Sequence, residues 1–283
     1  MIDGHVHIFP PEIIEDRESY LVRDARFATL YRSPLAKMAT AEEVVAHMEE
    51  AGVKTSVVFG YAFADQGLCR LVNDYVIEAT ARYPGRLVGL ACVWTGGRGA
   101  VREAERCLEA GLRGCGELVL EDELKGGRRP GTQRRVGGDG LAGVAELLRE
   151  RELPLLVHAN ELVGHSYPGK GPFGPEACVA LAERFPGLKI VFAHLGGGAF
   201  LYEAMPEVAA AFADVYYDTS AVPYLYRATI YDAVVATAGS HKLIFGSDYP
   251  LLSPSRYASG LDRLTEEVRR AVCEENARQV FGI

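Results

Sequence analysis

Two histidines, His5 and His7, stand two positions apart in an apolar run that predicts a short β-strand. Because successive strand side chains point to opposite faces, the two imidazoles lie on the same face. Adjacent imidazoles fill a core poorly, since each ring needs a polar partner and two imidazolium ions repel each other. A bound divalent metal ion would satisfy both rings. The alternative is a solvated pair on an edge strand, and the rest of the chain decides between them.

Four more side chains with ligand chemistry follow later apolar runs: Glu117, His158, His194 and Asp248. Four of the seven histidines therefore fall at the same end of predicted strands, whereas the other three fall in predicted helices and loops. In a barrel of parallel strands these ends meet at one rim, where the active site lies. We therefore expect the six side chains to converge on a metal ion. Nitrogen and carboxylate ligands suit Zn²⁺, with Mn²⁺ or Co²⁺ as alternatives.

Each of these residues also has a purely structural interpretation. Asp248 could cap the turn into Tyr249 and Pro250, and His158 and His194 could be hydrogen-bonded core histidines. Glu117 has two nearby competitors, Glu121 and Asp122. Three polar residues end the seventh apolar run and could line the pocket or support the ligands: Asp218, Thr219 and Ser220.

Eight apolar runs alternate with helical patterns and could position these side chains. They start near Ile2, Val53, Leu87, Leu112, Leu153, Leu188, Val215 and Leu243. Continuous apolar strands alternating with helices are typical of a parallel sheet that is buried on both faces. The pattern predicts an α/β protein with a single (β/α)₈ TIM barrel as one domain, residues 1–283. An open doubly wound sheet is the alternative, but no GxGxxG motif follows the first strand.

Local signals place several helices and one long loop. Thr40 and Glu43 form a predicted capping box for a helix from Ala41 to Ala51, which ends at Gly52. A helix is predicted to follow the sixth strand and to run through Phe212. The segment from Glu121 to Asp139 is rich in Gly, Arg and Lys, which favours a mobile surface loop over a phosphate site.

Composition excludes several classes of protein. The 283 residues carry a net charge of −8, which argues against a nucleic-acid-binding protein. No apolar run approaches the roughly 20 residues that span a bilayer, and no signal peptide precedes the first strand. The six cysteines are scattered without a CxxC pair, as in a cytoplasmic protein with reduced thiols.

The segments DGHVH, GELVLED, VHAN, FAHLGGG and FGSDYP, taken together, resemble the amidohydrolase superfamily and in particular its amidohydrolase-related (amidohydrolase 2) branch. The loop from Gly164 to Pro172 and the segment from Glu275 to Arg278 extend this similarity over nearly the whole chain. The resemblance implies that His5 and His7 bind a first metal ion. Asp248 would be a further ligand and would take a proton from metal-bound water. In two-metal members, Glu117 would bridge the ions and the histidines after the fifth and sixth strands, His158 and His194, would hold the second.

The function expected from this resemblance is a metal-dependent hydrolase, with two Zn²⁺ ions, that cleaves an amide, ester or lactone bond in a small molecule. The alternative is non-oxidative decarboxylation of an aromatic or unsaturated acid at one metal ion, with His194 as acid and base. A bridging Glu117 would favour hydrolysis. A third hypothesis is a barrel that only binds partners, although the intact ligand set speaks against it. The resemblance also implies a homodimer.

Three residues on the loop after the fifth strand are candidates for gripping an anionic substrate: His165, Tyr167 and Lys170. The loop is predicted to lie over the mouth of the barrel. A solvated loop with no role in binding is the alternative.

Overall fold

Eight parallel strands form the centre of the computed structural model, which describes residues 1–97, 99–120 and 138–283 and, between them, two short strands. The eight strands are β1 (Ile2–His7), β2 (Thr55–Phe59), β3 (Leu87–Gly89), β4 (Cys115–Leu118), β5 (Leu155–Val157), β6 (Ile190–Phe192), β7 (Val215–Asp218) and β8 (Leu243–Ile244). Strands β1–β3 pair in sequence order, and so do β4–β8. Each apolar run of the sequence has thus become a strand, as predicted.

Backbone hydrogen bonds join the two sets of strands at both seams. Between β3 and β4, the carbonyl of Ala91 accepts from Gly116 N and the amide of Ala91 donates to Gly114 O, both at 2.9 Å. Between β8 and β1, Gly4 N donates to Phe245 O at 2.8 Å and Asp248 N donates to His5 O at 2.9 Å. The ring of strands is therefore closed, which confirms the predicted TIM barrel.

The strands bury both of their faces, as their continuous apolar sequences require. Consecutive residues belong to two different core clusters: Leu155 to one and Leu156 to the other, and likewise Ile190 and Val191. One cluster fills the barrel and the other lies between the strands and the surrounding helices, because alternate strand side chains point to opposite faces. His158 shares the inward face with Leu156, and so points towards the mouth of the barrel.

Fourteen α-helices occur among the described residues. They are α1 (Pro11–Glu15), α2 (Arg17–Leu21), α3 (Ala25–Tyr31), α4 (Ala41–Ala51), α5 (Gln66–Arg82), α6 (Ala100–Glu109), α7 (Asp139–Glu150), α8 (Pro175–Arg184), α9 (Pro206–Ala211), α10 (Val222–Leu225), α11 (Ile230–Thr237), α12 (Ala258–Leu261), α13 (Glu266–Arg270) and α14 (Asn276–Phe281). The described residues also contain three 3₁₀ segments (His194–Ala204, Ser240–Lys242 and Pro254–Tyr257) and a π-helical turn (Ala271–Glu275). The capping box of α4 is present, with Gly52 in the left-handed region behind it.

One local prediction needs correction, and another lies largely outside the described residues. The segment after β6 is not one helix to Phe212 but a 3₁₀ segment and the short helix α9, because four residues from Leu195 to Gly198 have positive φ. The predicted loop between Glu121 and Asp139 lies largely outside the described residues, and so do Glu121 and Asp122. Its described part contains an antiparallel pair, Leu124–Lys125 with Arg135–Val136, and α7 begins at Asp139. None of the described helices combines the length and apolarity needed to cross a bilayer.

Position 197, in the run of three glycines from Gly196 to Gly198, requires glycine, and we expect its replacement by alanine to destabilise the protein. Its φ is +59°, and a Cβ at this position would lie 2.1 Å from the carbonyl oxygen of Asn160. Gly52 has a similar φ of +68° with no atom within 4 Å of such a Cβ, which makes it the matched control. We expect Gly197→Ala to lower the free energy of unfolding by about 2–4 kcal/mol and Gly52→Ala by about 1 kcal/mol. Equal losses in urea unfolding would contradict a steric role for Gly197.

Candidate metal centre and active site

At the C-terminal rim of the barrel, two carboxylate oxygens, Glu117 Oε2 and Asp248 Oδ1, each lie near both His5 Nε2 and His7 Nε2. Glu117 Oε2 lies 3.9 Å from His5 Nε2 and 3.7 Å from His7 Nε2. Asp248 Oδ1 lies 3.8 Å and 3.5 Å from the same nitrogens. These distances are too long for hydrogen bonds. They suit atoms that share an ion, because ligands about 2.0–2.3 Å from one ion lie about 3.0–4.5 Å apart.

Both histidines of this group are held with Nε2 directed towards these two carboxylates. His5 Nδ1 donates to Asp218 Oδ2 at 2.8 Å, and His7 Nδ1 donates to the carbonyl of Gly60 at 3.0 Å. A histidine that binds a metal ion usually donates its other ring N–H in this way, which fixes the ring orientation and tautomer. His5 Nε2 is buried and has no hydrogen-bond partner among the described residues. A divalent ion is the partner that this orphaned nitrogen and the two carboxylates fit.

A second group shares Glu117 but has different distances. His158 Nδ1 lies 2.9 Å from Glu117 Oε1, and His194 Nε2 lies 3.2 Å from His158 Nδ1 and 3.4 Å from Glu117 Oε1. The first two distances are hydrogen-bond distances. The three side chains could also hold an ion, since their ligand atoms all lie within 4.8 Å of one another. Glu117 therefore belongs to both groups, with one oxygen towards each.

His194 is oriented by the residues that end β7. Its Nδ1 lies 3.0 Å from the carbonyl of Ser220 and 2.9 Å from Ser220 Oγ. The hydroxyl of Ser220 donates to Asp218, so both Ser220 oxygens are free to accept the Nδ1–H. The second nitrogen, Nε2, consequently faces Glu117 and His158 and is the one that can exchange a proton with a substrate.

The carboxylates set the protonation of both groups. Burial disfavours the charged form of His194, but Glu117, Asp248 and Asp218 outweigh it and raise its pKa to about 10. Burial likewise opposes the charged form of His5, and Asp218, Glu117 and Asp248 raise its pKa to about 9. Burial alone would raise the pKa of Glu117, yet His158, His194 and His5 hold it well below its usual range. In the ion-free protein at neutral pH, His5 and His194 are therefore cations and Glu117 is an anion.

Uptake of an ion is expected to release protons at neutral pH. An ion binds neutral imidazole, and His5 must lose its proton because its pKa of about 9 lies above the ordinary 6.5. The apparent affinity for Zn²⁺ should rise about tenfold per pH unit at neutral pH and level off above pH about 9. Calorimetric titration in two buffers of different ionisation enthalpy measures the protons released. A proton count near zero at pH 7 would contradict this protonation state.

Two further carboxylates hold the ligands in place: Asp218, which the sequence suggested as a pocket or supporting residue, and Asp3, which the sequence analysis missed. Asp218 accepts from His5 Nδ1 and also from the backbone amide of His194 at 3.1 Å, so one carboxylate positions both groups. Asp3 accepts from the backbone amides of Ser247 at 2.8 Å and of His5 at 3.3 Å, which ties β8 to β1. Burial raises the pKa of Asp3 to about 6 against the hydrogen bonds from Ser247. Their positions in the sequence could have indicated this role. Asp3 lies two residues before His5, and Asp218 ends β7 two residues before Ser220.

The loop residues His165, Tyr167 and Lys170 lie apart from the ligand atoms. Lys170 Nζ donates to the carbonyls of Val163 at 2.7 Å and His165 at 2.9 Å, so its charge is engaged within its own loop. The ring of His165 is exposed and lies 5.7 Å from that of Tyr167. Tyr167 is connected to the site, because its hydroxyl donates to Glu161 Oε2 at 2.8 Å and lies 3.5 Å from Asn160 Oδ1. Substrate binding by these residues stays a prediction.

The family model described as Amidohydrolase (Amidohydro_2) matches residues 2–283, and the chain belongs to this enzyme family. It is 22% identical over 264 residues to the 2-amino-3-carboxymuconate-6-semialdehyde decarboxylase of Dictyostelium discoideum. The alignment covers 80% of this chain and 70% of the relative.

Two solved structures have the same fold. The 5-carboxyvanillate decarboxylase of Sphingomonas paucimobilis superposes with a TM-score of 0.77 at 18% identity, over 100% of this chain and 99% of that one. A dihydroxybenzoic acid decarboxylase of a Polaromonas species, solved with bound manganese and the inhibitor 2-nitroresorcinol, gives a TM-score of 0.72 at 21% identity, over 99% and 96%.

These comparisons correct the expected activity. The sequence favoured a hydrolase, but the curated relative is a decarboxylase and both solved structures are decarboxylases. The bridging of two ions by Glu117, which was expected to favour hydrolysis, stays a prediction. The physical reason is that the same ligand set can either activate water or hold a carboxylic acid, and the set alone does not choose. The cluster of histidines and carboxylates fits a metal ion, whereas zinc and a second ion stay predictions.

Proposed function

We propose that this protein is a metal-dependent, non-oxidative decarboxylase of an aromatic or unsaturated carboxylic acid. The observation that carries the proposal is that two groups of side chains with different spacing lie on the two sides of Glu117. On one side, the ligand atoms of His5, His7 and Glu117 all lie within 4.8 Å of one another, and Asp248 Oδ1 lies 3.5 Å from His7 Nε2 and 3.8 Å from His5 Nε2. On the other, His158, His194 and Glu117 lie close enough to share protons. The decarboxylase relatives named above support the same reaction.

His5, His7, Glu117 and Asp248 would hold one divalent ion. When bound, the ion would supply positive charge that orients the acid and stabilises developing negative charge. Two neutral imidazoles and two carboxylates balance a divalent charge, so a dianionic set suits Mn²⁺ as well as Zn²⁺. Manganese is the ion in the related Polaromonas decarboxylase.

His194 is the acid of the proposed reaction. When the bond between the substrate carbon and its carboxylate breaks, CO₂ leaves and the bonding electron pair stays on the carbon. That carbon must gain a proton, and the imidazolium of His194 carries one on Nε2 at the side facing Glu117 and His158. The neighbouring carboxylates keep this proton on His194 until the carbon becomes more basic. Solvent then restores the proton, so the enzyme is unchanged and one proton is consumed per CO₂ released.

A direct assay tests this function. The protein is loaded with Mn²⁺ or Zn²⁺ and given dihydroxybenzoic acids, 5-carboxyvanillate and unsaturated dicarboxylic acids, and CO₂ release is measured. In D₂O, we expect one deuterium at the carbon that lost its carboxylate. Methyl esters and lactones of the same acids serve as hydrolysis controls. Ester or lactone cleavage without CO₂ from any acid would overturn the proposal.

A further inference from the structure

Two tyrosine side chains lie beside His7 and take no part in the contacts of the candidate metal centre. The ring of Tyr31, at the end of α3, lies 5.3 Å from that of Phe9, which follows His7 by two residues. Tyr61 directly follows Gly60, whose carbonyl accepts from His7 Nδ1. The two tyrosine rings lie 6.0 Å apart and perpendicular to each other. Both tyrosines therefore belong to the wall of the mouth beside the candidate ion site.

Helix α3 is held at the C-terminal end of the barrel. Tyr31 packs against the same core cluster as Leu156 and Val191, which point into the barrel. The residue before it, Leu30, contacts the loop after β5, since a Cβ on Gly169 would lie 2.6 Å from Leu30 Cδ2. The end of α3 therefore meets this loop at the mouth, and part of the Tyr31 side chain stays accessible there.

Neither tyrosine hydroxyl has a hydrogen-bond partner within the described part of the chain. Tyr61 is only 5% exposed, and its hydroxyl is buried and unpaired among these residues. The hydroxyl of the half-buried Tyr31 has no partner among them either. Buried tyrosine hydroxyls usually find a partner, because leaving one unpaired costs free energy. A bound molecule with an acceptor oxygen would satisfy both hydroxyls.

Both phenols keep their protons at neutral pH and are therefore donors. Burial raises the pKa of Tyr31 above its ordinary 10, and the charges of Asp248 and Glu117 raise it further. Burial likewise raises the pKa of Tyr61 well above 10, and Glu117 adds to this effect against the opposing charge of Arg26. The influence of Glu117 on both hydroxyls agrees with their placement beside the candidate ligands.

We propose that Tyr31 and Tyr61 form a second binding subsite that donates hydrogen bonds to an oxygen of the substrate other than the carboxylate that leaves as CO₂. This oxygen belongs to a hydroxyl or to a second carboxylate of the acid. The inference rests on the proposed function for the identity of the substrate. Binding of an acid can be measured whether or not it is decarboxylated, so the two can fail separately.

Calorimetric titration of the zinc-loaded protein tests the subsite with three probes: benzoate, 3-hydroxybenzoate and benzene-1,3-dicarboxylate. The 1,3 arrangement keeps the second oxygen from sharing the ion with the first carboxylate. We expect the wild type to bind at least one of the two substituted probes about 10-fold more tightly than benzoate, and the tighter probe identifies the oxygen as hydroxyl or carboxylate. Tyr31→Phe and Tyr61→Phe should each weaken that probe about 3–30-fold and leave benzoate unchanged.

Tyr216→Phe is the matched control. Tyr216 also packs, partly buried, against the cluster that fills the barrel, but it is the second residue of β7 and lies at the opposite end of the strands. This variant should bind all three probes like the wild type. Equal affinity of the wild type for benzoate and both substituted probes would overturn the subsite, and so would wild-type binding by both Tyr31→Phe and Tyr61→Phe.

Urea unfolding separates binding from a structural role. Tyr61→Phe should unfold at the same or a higher urea concentration than the wild type, because it removes a buried hydroxyl that has no partner. Lower stability with an unchanged preference among the probes would show that the hydroxyl is structural and would overturn the proposal. Tyrosine-dependent binding without CO₂ release from any acid would leave the subsite standing and reject the proposed function.

Discussion

Replacing Asp248 by asparagine is expected to remove most of the bound ion and nearly all of the proposed decarboxylase activity. The variant keeps the size of the side chain but removes the charge that lies 3.5 Å from His7 Nε2 and 3.8 Å from His5 Nε2. Loss of an ion that contributes several kcal/mol of charge stabilisation corresponds to a fall in kcat/KM of about 10³-fold. Metal analysis after gel filtration, together with steady-state kinetics, measures both effects.

The matched control is Asp232→Asn, which also removes one aspartate charge. Asp232 pairs with Arg263 on the surface, and both side chains are substantially exposed. Exposed pairs of this kind contribute little to stability, so this variant should bind the ion and turn over like the wild type. An Asp248→Asn protein with a full complement of ion would show that Asp248 is not a ligand.

Replacing His194 by asparagine should separate proton transfer from ion binding. An asparagine amide can still donate to the carbonyl of Ser220, as His194 Nδ1 does, but no group remains at the position of Nε2. We expect kcat to fall about 10²–10⁴-fold, the range for loss of a general acid, while the ion at His5 and His7 is retained. Solvent deuterium should then enter the product in a slower step.

His241→Asn is the control for this change, because His241 is exposed and belongs to the 3₁₀ segment Ser240–Lys242. It should leave kcat unchanged. Retention of wild-type kcat in His194→Asn would exclude His194 as the acid. Loss of the ion from His194→Asn would instead indicate that His194 is a ligand, as the two-ion prediction requires.

The barrel could be predicted because its signals are local. Each strand is a continuous apolar run between turn residues, and eight such runs alternate with helical patterns. The predicted helix after β6 was wrong because Leu195 to Gly198 have positive φ, and one of them, Gly197, packs against the carbonyl of Asn160 too closely to carry a Cβ. Tertiary contact thus overrides the local preference at the point where the chain passes over the site.

The sequence predicted which side chains meet at the candidate site, but not which neighbouring residues contact them. The histidines and carboxylates at the strand ends converge because a parallel barrel brings those ends together. Sequence alone did not show that Lys170 is engaged by the carbonyls of its own loop, or that Asn160 contacts His158. Such contacts depend on loop conformations that neither periodicity nor spacing encodes. The reaction was also out of reach, since one ligand set serves several chemistries.

The seam between β8 and β1 brings together candidate ligands that are far apart in the sequence. Asp3 and His5 meet Ser247 and Asp248 only after the chain between them has been synthesised, because the contacting residues lie at opposite sides of the whole set of strands in sequence order. A nascent chain therefore cannot present the full set to the ions of the cell, and selection among competing metals is deferred to the finished barrel. Once bound, an ion would link β1 to the segment after β8 and would add about 4 kcal/mol to the free energy of unfolding at a thousandfold excess over its Kd.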